Sequence, residues 1–206
     1  MIKHLKNVIK KNNLKKFKED IDNISFPFYL QVSAINKASV KDKNGTWYTE
    51  YKDKKLSKSN KKKEIYNDCI FEHCVLVRKE NRNSVGAPSN GINSNWANFF
   101  INIFQDFCAK EKITQTELYR ISVNLTFANG YKQCRQHQDH PYDHRQLIVY
   151  LNNADPISKT IILNDKNKII KKITPKENTG VFFDNKPHYH IYPKKGYRMV
   201  AIFTFK

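Results

Sequence analysis

Several features that would restrict the function of this 206-residue chain are missing from its sequence. The four cysteines form no C-x-x-C pair and no zinc-finger spacing, which favours free thiols in a reducing compartment. No apolar run is long enough to span a bilayer. The first twenty residues lack the apolar core and the small-residue cleavage site of a signal peptide. We therefore expect a cytoplasmic protein with no membrane partner.

Acidic residues and arginine are scarce relative to lysine. The chain has 37 Lys and Arg against 19 Asp and Glu, which gives a net charge of +18, yet only six of the basic residues are arginines. Such an excess of positive charge attracts polyanions. Sequence-specific nucleic-acid binders favour arginine for its planar fork, however, and here the lysines concentrate at 3–18 and 52–63. Segment 52–63 is therefore either a solvated face or a nucleic-acid contact.

The first half of the chain is irregular in pattern, without an internal repeat or a heptad array. It predicts a short basic helix over 1–22, a strand within 25–35, a loop or hairpin over 41–63, a strand over 68–80 and a loop over 81–95. A helix follows, because aromatic and aliphatic residues recur at i, i+3, i+4, i+7, i+8 and i+11. These residues are Trp96, Phe99, Phe100, Ile103, Phe104 and Phe107. Their stripe is typical of a helix packed on a sheet.

The second half of the chain alternates with the period of β-strands. In "ELYRISVNLTF" (117–127) one face is apolar and the other carries Arg120, Ser122, Asn124 and Thr126. We expect this polar face to line the mouth of a barrel. The run "YRMVAIFTF" (197–205) alternates in the same way, and 146–153 and 159–165 read as further strands. From 118 onward, six to eight short strands separated by turns predict a sandwich or jelly roll.

The most informative motif is His137-Gln138-Asp139, followed about fifty residues later by His188 and then by Arg198. On a β-strand, residues i and i+2 point the same way, so His137 and Asp139 can hold one metal. Two imidazoles and one carboxylate on one face of iron form the facial triad of non-haem Fe(II) oxygenases, which leaves positions open for other ligands. Arg198 could then hold a carboxylate cosubstrate beside the metal.

Three longer runs carry a family resemblance: "HQDHPYDHRQLIVYLNN" (137–153), "KTIIL" (159–163) and "GVFFDNKPHYHIYPKKGYR" (180–198). They resemble Fe(II)- and 2-oxoglutarate-dependent oxygenases, most closely the prolyl-4-hydroxylase-like branch and its small phage- and virus-encoded members. The resemblance implies an α+β fold built on a double-stranded β-helix (a cupin-like jelly roll), with N-terminal helices packed on the major sheet.

The resemblance also implies a domain organisation. The chain would be one oxygenase domain, 1–206, in which 1–117 form a supporting layer and 118–206 form the jelly-roll core with the metal site. If a virus encodes the protein, its compartment is the host cytoplasm. One stretch departs from the family, since "ADPISKT" (154–160) replaces a glycine-containing stretch, so the loop over the site is expected to differ.

The ligands are likewise implied by the resemblance. Fe(II) would bind His137, Asp139 and His188, and 2-oxoglutarate would bind beside it. His190 is the runner-up for the last ligand, because it has the same strand parity as His188. His188 is favoured because it places Arg198 ten residues further on, the spacing usual in the family.

The cosubstrate residues and the reaction follow from the same family. Arg198 would pair with the distal carboxylate of 2-oxoglutarate, and Tyr150 would donate a hydrogen bond to it. The family uses O2 and 2-oxoglutarate to hydroxylate a C–H bond and releases succinate and CO2, with ascorbate as an expected reductant. The primary substrate stays open: a protein side chain is favoured, and the net charge makes nucleic acid an alternative.

Two other functions stay open at this point. One is a metal-dependent hydrolase that uses His137, Asp139 and His140 as part of an H-x-H-x-D-H motif, although the first histidine position holds Arg135. The other is a non-catalytic basic jelly-roll module that binds nucleic acid and has structural histidines. His140 and His144 lie in the loop after the main motif, and we expect them to be exposed or to support the ligands.

Overall fold

The structure, a computed structural model, describes residues 1–22, 26–31, 39–41, 47–49, 70–82, 88, 90–114 and 117–206. Within these residues the chain forms twelve strands and two α-helices, with one turn of 3-10 helix at Lys79–Asn81. In chain order they are β1 (Ile2–Lys6), α1 (Lys11–Asp22), β2 (Tyr29–Gln31), β3 (Ser39–Lys41), β4 (Trp47–Thr49), β5 (Ile70–Leu76), α2 (Ala97–Glu111), β6 (Leu118–Phe127), β7 (Arg145–Tyr150), β8 (Thr160–Leu163), β9 (Ile169–Ile173), β10 (Thr179–Asp184), β11 (His188–His190) and β12 (Tyr197–Phe205). None of the described helices is long and apolar enough to cross a membrane.

Two antiparallel sheets make up the body of the described chain. The larger has seven strands in the order β1-β10-β7-β12-β6-β5-β2, and the smaller has three in the order β11-β8-β9. Seven strands lie beyond residue 117, within the number that the alternation predicts. The arrangement confirms the predicted jelly roll, in which long crossovers bring sequence-distant strands side by side.

The larger sheet has two apolar faces, which is why its central strands are buried on both sides. Against the outer face lie α1 and α2, where the Phe104 ring stacks on Phe203 with centroids 5.8 Å apart. Against the inner face lies the smaller sheet, where Val200 and Phe183 cluster with Ile162. The aromatic stripe predicted a helix over this stretch correctly, and α2 spans Ala97–Glu111.

The predicted helix over 1–22 is wrong for the first residues. Ile2–Lys6 form an edge strand, with Ile2 opposite Phe183 and Lys6 opposite Thr179 on β10. Asn7 then takes a left-handed backbone conformation (φ 51°), which ends the strand, and the helix begins only at Lys11. Pairing with the edge of β10 satisfies backbone groups that a helix of five residues would leave open.

The remaining first-half predictions divide between described and undescribed residues. Strand β5 confirms the prediction over 68–80, and β2 occupies three residues of the predicted 25–35. Strands β3 and β4 pair with each other in antiparallel register. The rest of the predicted loop or hairpin over 41–63, with Asn44-Gly45 and the lysine run 52–63, lies outside the described residues.

Register places one row of polar residues beneath the smaller sheet. On β6 the polar face predicted to line the barrel mouth does lie on the inner side. Arg120 opposes Thr204 on β12, and Thr126 opposes Arg198. Across β12, Gln146 of β7 opposes Thr204. Polar side chains therefore line both ends of an otherwise apolar inner face.

Candidate metal centre

The loop between β6 and β7 carries the His-x-Asp motif, and one β-bridge fixes it. His137 pairs with His188: each backbone N–H donates to the other's carbonyl, at 3.0 and 2.9 Å. The motif was expected on a strand, but only His137 is in β geometry, whereas Asp139 lies at a bend. The three side chains still converge, because one ligand atom from each of His137, Asp139 and His188 lies within 4.8 Å of the others.

Backbone carbonyls orient both imidazoles. Nδ1 of His137 donates to the Arg135 carbonyl at 2.9 Å, and Nδ1 of His188 donates to the Lys186 carbonyl at 3.1 Å. With the proton on Nδ1, each Nε2 keeps its lone pair, which is the form that binds a metal. Nε2 of His188 lies 3.7 Å from Asp139 Oδ2, so the nitrogen and carboxylate ligand atoms face one another.

The charge states suit a cation. Burial and the neighbouring His137 lower the pKa of His188 to about 4, so its imidazole is neutral at physiological pH. Burial alone would raise the pKa of Asp139, but His188, His137 and two arginines lower it well below its usual range. The cluster therefore offers a neutral His188 nitrogen and an ionised Asp139 carboxylate which, together with the His137 imidazole, make up the donor set of a facial triad.

Two arginines hold the Asp139 carboxylate from one side. Its Oδ1 lies 3.4 Å from Nη1 of Arg120 and 3.9 Å from Nη2 of Arg78, whose Nη1 also donates to the Asp139 carbonyl. Arg120 pairs in addition with Glu72 on β5. Oδ2 is buried and has no hydrogen-bond partner among the described residues. One oxygen is thus fixed and the other is available to a metal.

Sequence reasoning missed these arginines. Strand alternation placed Arg120 on the inner face, but nothing in the sequence indicated that its partner lay nineteen residues later in a loop. Arg78 precedes a 3-10 turn and carried no pattern at all.

Buried polar atoms without partners lie on strands of both sheets as well as in the cluster. Among the described residues there are six: Ser122 Oγ, Asn124 Oδ1, Asp139 Oδ2, Gln146 Oε1, His190 Nε2 and Arg198 Nε. Leaving such an atom buried and unsatisfied costs on the order of 1–3 kcal/mol. Native proteins keep few of them, so six of them on the facing sheets and in the loop that carries Asp139 indicate a ligand site.

Arg198 lies at the other end of the inner face of the larger sheet, opposite Thr126 of β6. It is only 3% exposed, and Nη2 donates to Thr160 Oγ1 at 2.9 Å. The Tyr150 hydroxyl also contacts Thr160 Oγ1, at 2.7 Å, and the guanidinium lies 5.6 Å from the Tyr150 ring centre. Burial lowers the pKa of Arg198, and no carboxylate of the described chain forms an ion pair with it. A buried cation of this kind requires an anionic partner.

His190 lies outside the three-residue cluster. Its Nδ1 is 3.1 Å from Cys134 Sγ, and its Nε2 is buried and unsatisfied. Burial, together with the charge of Arg198, lowers the pKa of His190 well below 6.5, so this ring is neutral. The geometry thus brings His188, and not the runner-up His190, to His137 and Asp139.

The loop histidines His140 and His144 are buried, which rules out exposure and leaves the other expectation, that they support the ligands. His140 Nε2 lies 2.7 Å from Thr204 Oγ1 and its Nδ1 lies 3.3 Å from Glu80 Oε1. His144 is 5% exposed, and its Nδ1 donates to the Tyr142 carbonyl. With both ring nitrogens occupied, His140 is unavailable as the third ligand of the hydrolase alternative.

No protein-family model matches the chain, and no curated protein sequence gives a significant match. Solved structures do. A 2OG-Fe(II) oxygenase family oxidoreductase from Burkholderia pseudomallei matches at a TM-score of 0.64 with 11% identity, over 100% of this chain and 84% of that one. A prolyl-4-hydroxylase from Pseudomonas putida matches at 0.56 with 8% identity, over 100% and 91%. The viral collagen prolyl hydroxylase of Paramecium Bursaria Chlorella virus-1, in a 2OG complex, matches at 0.52 with 11% identity, over 98% and 94%. These likenesses confirm the fold.

Proposed function

We propose that the chain is an Fe(II)- and 2-oxoglutarate-dependent oxygenase that hydroxylates a C–H bond of its substrate and releases succinate and CO2. One observation carries the proposal. A buried arginine, Arg198, has no anionic partner in the described chain, and it lies on the inner face of the larger sheet, which contacts His188 of the His/Asp/His cluster through Gln146 and Phe183. A metal site alone would not require that cation. The fold, shared with solved 2-oxoglutarate oxygenases and hydroxylases, supports the assignment.

The described residues fit both groups. His137, Asp139 and His188 would hold Fe(II), since their ligand atoms already converge and Asp139 Oδ2 is free. Arg198 would pair with the distal carboxylate of 2-oxoglutarate, with Tyr150 as a further donor. When bound, the metal and the cosubstrate supply the activation of O2.

The side chains of the protein orient the Asp139 carboxylate, keep it ionised and exclude water from the cosubstrate position. Arg120 and Arg78 keep the Asp139 carboxylate ionised and turn one of its oxygens away from the ligand position. Val200 and Ile202 of β12, both buried, form the apolar floor between Arg198 and the polar residues near the metal. Such a floor excludes water, which strengthens the charge pairing that holds the cosubstrate.

The finer points of the assignment stay proposals. We favour a protein side chain as substrate, which the likeness to prolyl hydroxylases supports, including one named for collagen. Membership of a small virus- or phage-type branch is supported by the viral neighbour in the same way. That residues 1–206 form one oxygenase domain, that ascorbate serves as reductant, and that the protein is cytoplasmic also stay predictions, as does a role for 52–63 in binding nucleic acid.

The decisive experiment is an anaerobic titration of 2-oxoglutarate into Fe(II)-loaded protein, followed by the visible charge-transfer absorbance of a metal-bound 2-oxo acid. We expect a band that requires both Fe(II) and 2-oxoglutarate. Succinate release after O2 is admitted, measured with proline-containing peptides and with single-stranded nucleic acid, then identifies the substrate class. Absence of the band at saturating 2-oxoglutarate would remove the oxygenase assignment.

A further inference from the structure

His190 lies close to Arg198, whose charge helps to lower the pKa of the His190 ring. It is the last residue of β11, directly opposite Thr160 of β8 in the antiparallel register. Residues opposite one another in such a pair project to the same face, with Cβ atoms about 4.5–5.5 Å apart. The Thr160 hydroxyl is the group that Arg198 and Tyr150 both contact. His190 therefore borders the same small volume as these three side chains.

A cysteine contacts the other nitrogen of the His190 ring. Cys134 Sγ accepts the backbone N–H of His190 at 3.3 Å and lies 3.1 Å from Nδ1 of the same residue. The thiol S–H can donate to Nδ1 in this arrangement. A neutral imidazole that accepts at Nδ1 carries its proton on Nε2. Nε2 is then a hydrogen-bond donor.

That donor has no acceptor. His190 Nε2 and Arg198 Nε are both buried, and neither has a hydrogen-bond partner among the described residues. Two unsatisfied donors beside Thr160, one of them cationic, match a carboxylate, which offers two oxygens and about four acceptor positions. Water or a hydroxyl could satisfy one of these donors but would leave the positive charge uncompensated.

We propose that His190 is a second donor to the distal carboxylate of 2-oxoglutarate, acting from the opposite wall to Arg198 and selecting a dicarboxylic 2-oxo acid. The inference rests on the proposed function and deepens it. It also gives His190 a role that keeps it out of the metal sphere, consistent with its place outside the ligand cluster. His190 is then a specificity residue, and it contributes only when the ligand carries a distal carboxylate.

The test compares two ligands on Co(II)-loaded protein by anaerobic calorimetry: 2-oxoglutarate and 2-oxopentanoate, which has a methyl group in place of the distal carboxylate. His190→Phe, which keeps the ring shape without the donor, should weaken 2-oxoglutarate roughly ten-fold. It should leave the binding of 2-oxopentanoate unchanged. His190→Gln, whose amide nitrogen takes the place of Nε2, should restore most of the lost affinity. Equal weakening of both ligands, or failure of glutamine to rescue, would overturn the proposal.

A measurement on the wild-type protein tests the role of His190 even if the variants fail to fold. In Zn(II)-loaded protein, nitrogen NMR of the His190 ring should report the proton on Nε2, and 2-oxoglutarate should slow the exchange of that proton with solvent. A lone pair on Nε2 would overturn the proposal. If the wild type fails to bind 2-oxoglutarate, the proposed function falls with it. If the wild type binds and His190→Phe binds equally well, only the role of His190 falls.

Discussion

His137 and His188 face each other across a single β-bridge, although about fifty residues separate them in the chain. Their rings lie 4.6 Å apart, centroid to centroid. Two backbone hydrogen bonds, and not a side-chain contact, set this distance. The backbone therefore preorganises the candidate metal site, and we expect a substitution of either side chain to leave the bridge in place. Site variants can on this basis be examined in folded protein.

Removing a proposed ligand should abolish tight Fe(II) binding without unfolding the chain. Alanine at 137, 139 or 188 should weaken metal affinity at least about 100-fold, the upper end of the loss seen when a supporting partner is removed. His190→Ala is the matched control, since this histidine lies two residues from His188 and its Nε2 is buried, yet it lies outside the cluster. Anaerobic metal titration measures the difference. If His190→Ala loses more affinity than His188→Ala, the distal ligand has been misassigned.

Arg120 is expected to affect both stability and metal binding, because it links Glu72 to Asp139. Arg120→Met should lower the free energy of unfolding by about 3 kcal/mol, since it leaves buried carboxylates unpaired. It should also weaken metal binding about ten-fold, because Asp139 loses an orienting donor.

A double variant separates the two effects of Arg120. Adding Glu72→Gln to Arg120→Met removes the lone carboxylate on β5 and should recover part of the stability. It should not recover metal affinity, because Asp139 still lacks its partner. Urea unfolding of the metal-free protein measures the stability, and metal titration measures the metal affinity. If the double variant regains metal affinity, Arg120 does not orient Asp139.

Much of the core could be predicted from the sequence, because residue type follows the period of the backbone. Side chains of the outer apolar face recur at every second residue of β6 and β12, and the stripe on α2 recurs with the helical period. Each pattern is local and depends on one sheet or one helix face. The edge strand β1 was not predicted, because its lysine-rich residues show no clear alternation. It is a strand because it pairs with β10, which is distant in the sequence.

The site was predictable in its residues but not in its arrangement. His188 and His190 share strand parity, so a sequence cannot say which of them reaches the metal. What distinguishes them is register, because His188 opposes Ile162 and bridges His137, whereas His190 opposes Thr160. The arginine partners of Asp139 could not be predicted either, because an ion pair between a strand and a loop produces no periodic pattern in the sequence.

Glu80 should make the loop that carries the metal motif sensitive to acid. Partial burial raises the pKa of its carboxyl, but hydrogen bonds from His140 and Tyr142 outweigh this and lower the pKa to about 2. The folded-state pKa thus lies below the ordinary value of 4.5. This stabilisation is present above pH 4.5 and is lost as the pH falls toward 2.

A substitution at 80 should therefore show its effect only when the carboxyl is ionised. Glu80→Gln should destabilise the protein at neutral pH, and its difference from wild type in urea unfolding should shrink at about pH 3. Glu19→Gln serves as the control, since that carboxylate is exposed on α1. A wild-type-to-Glu80→Gln gap that is independent of pH would show that the contacts of Glu80 do not depend on its charge.

Arg198 provides the sharpest test of the cosubstrate site, because its only described polar side-chain neighbours are neutral. Arg198→Ala should weaken 2-oxoglutarate binding roughly ten- to a hundred-fold, the value of a charge-assisted hydrogen-bonded pair. Metal affinity should stay close to that of wild type, because Arg198 contacts none of the three proposed ligands. Arg198→Lys should recover part of the loss, since it keeps the charge but not the two-pronged geometry. The charge-transfer absorbance of the anaerobic Fe(II) protein, followed as 2-oxoglutarate is added, gives the cosubstrate constant, and a separate anaerobic Fe(II) titration gives the metal constant. If Arg198→Ala binds 2-oxoglutarate as tightly as wild type, the buried guanidinium serves another anion and the cosubstrate assignment fails.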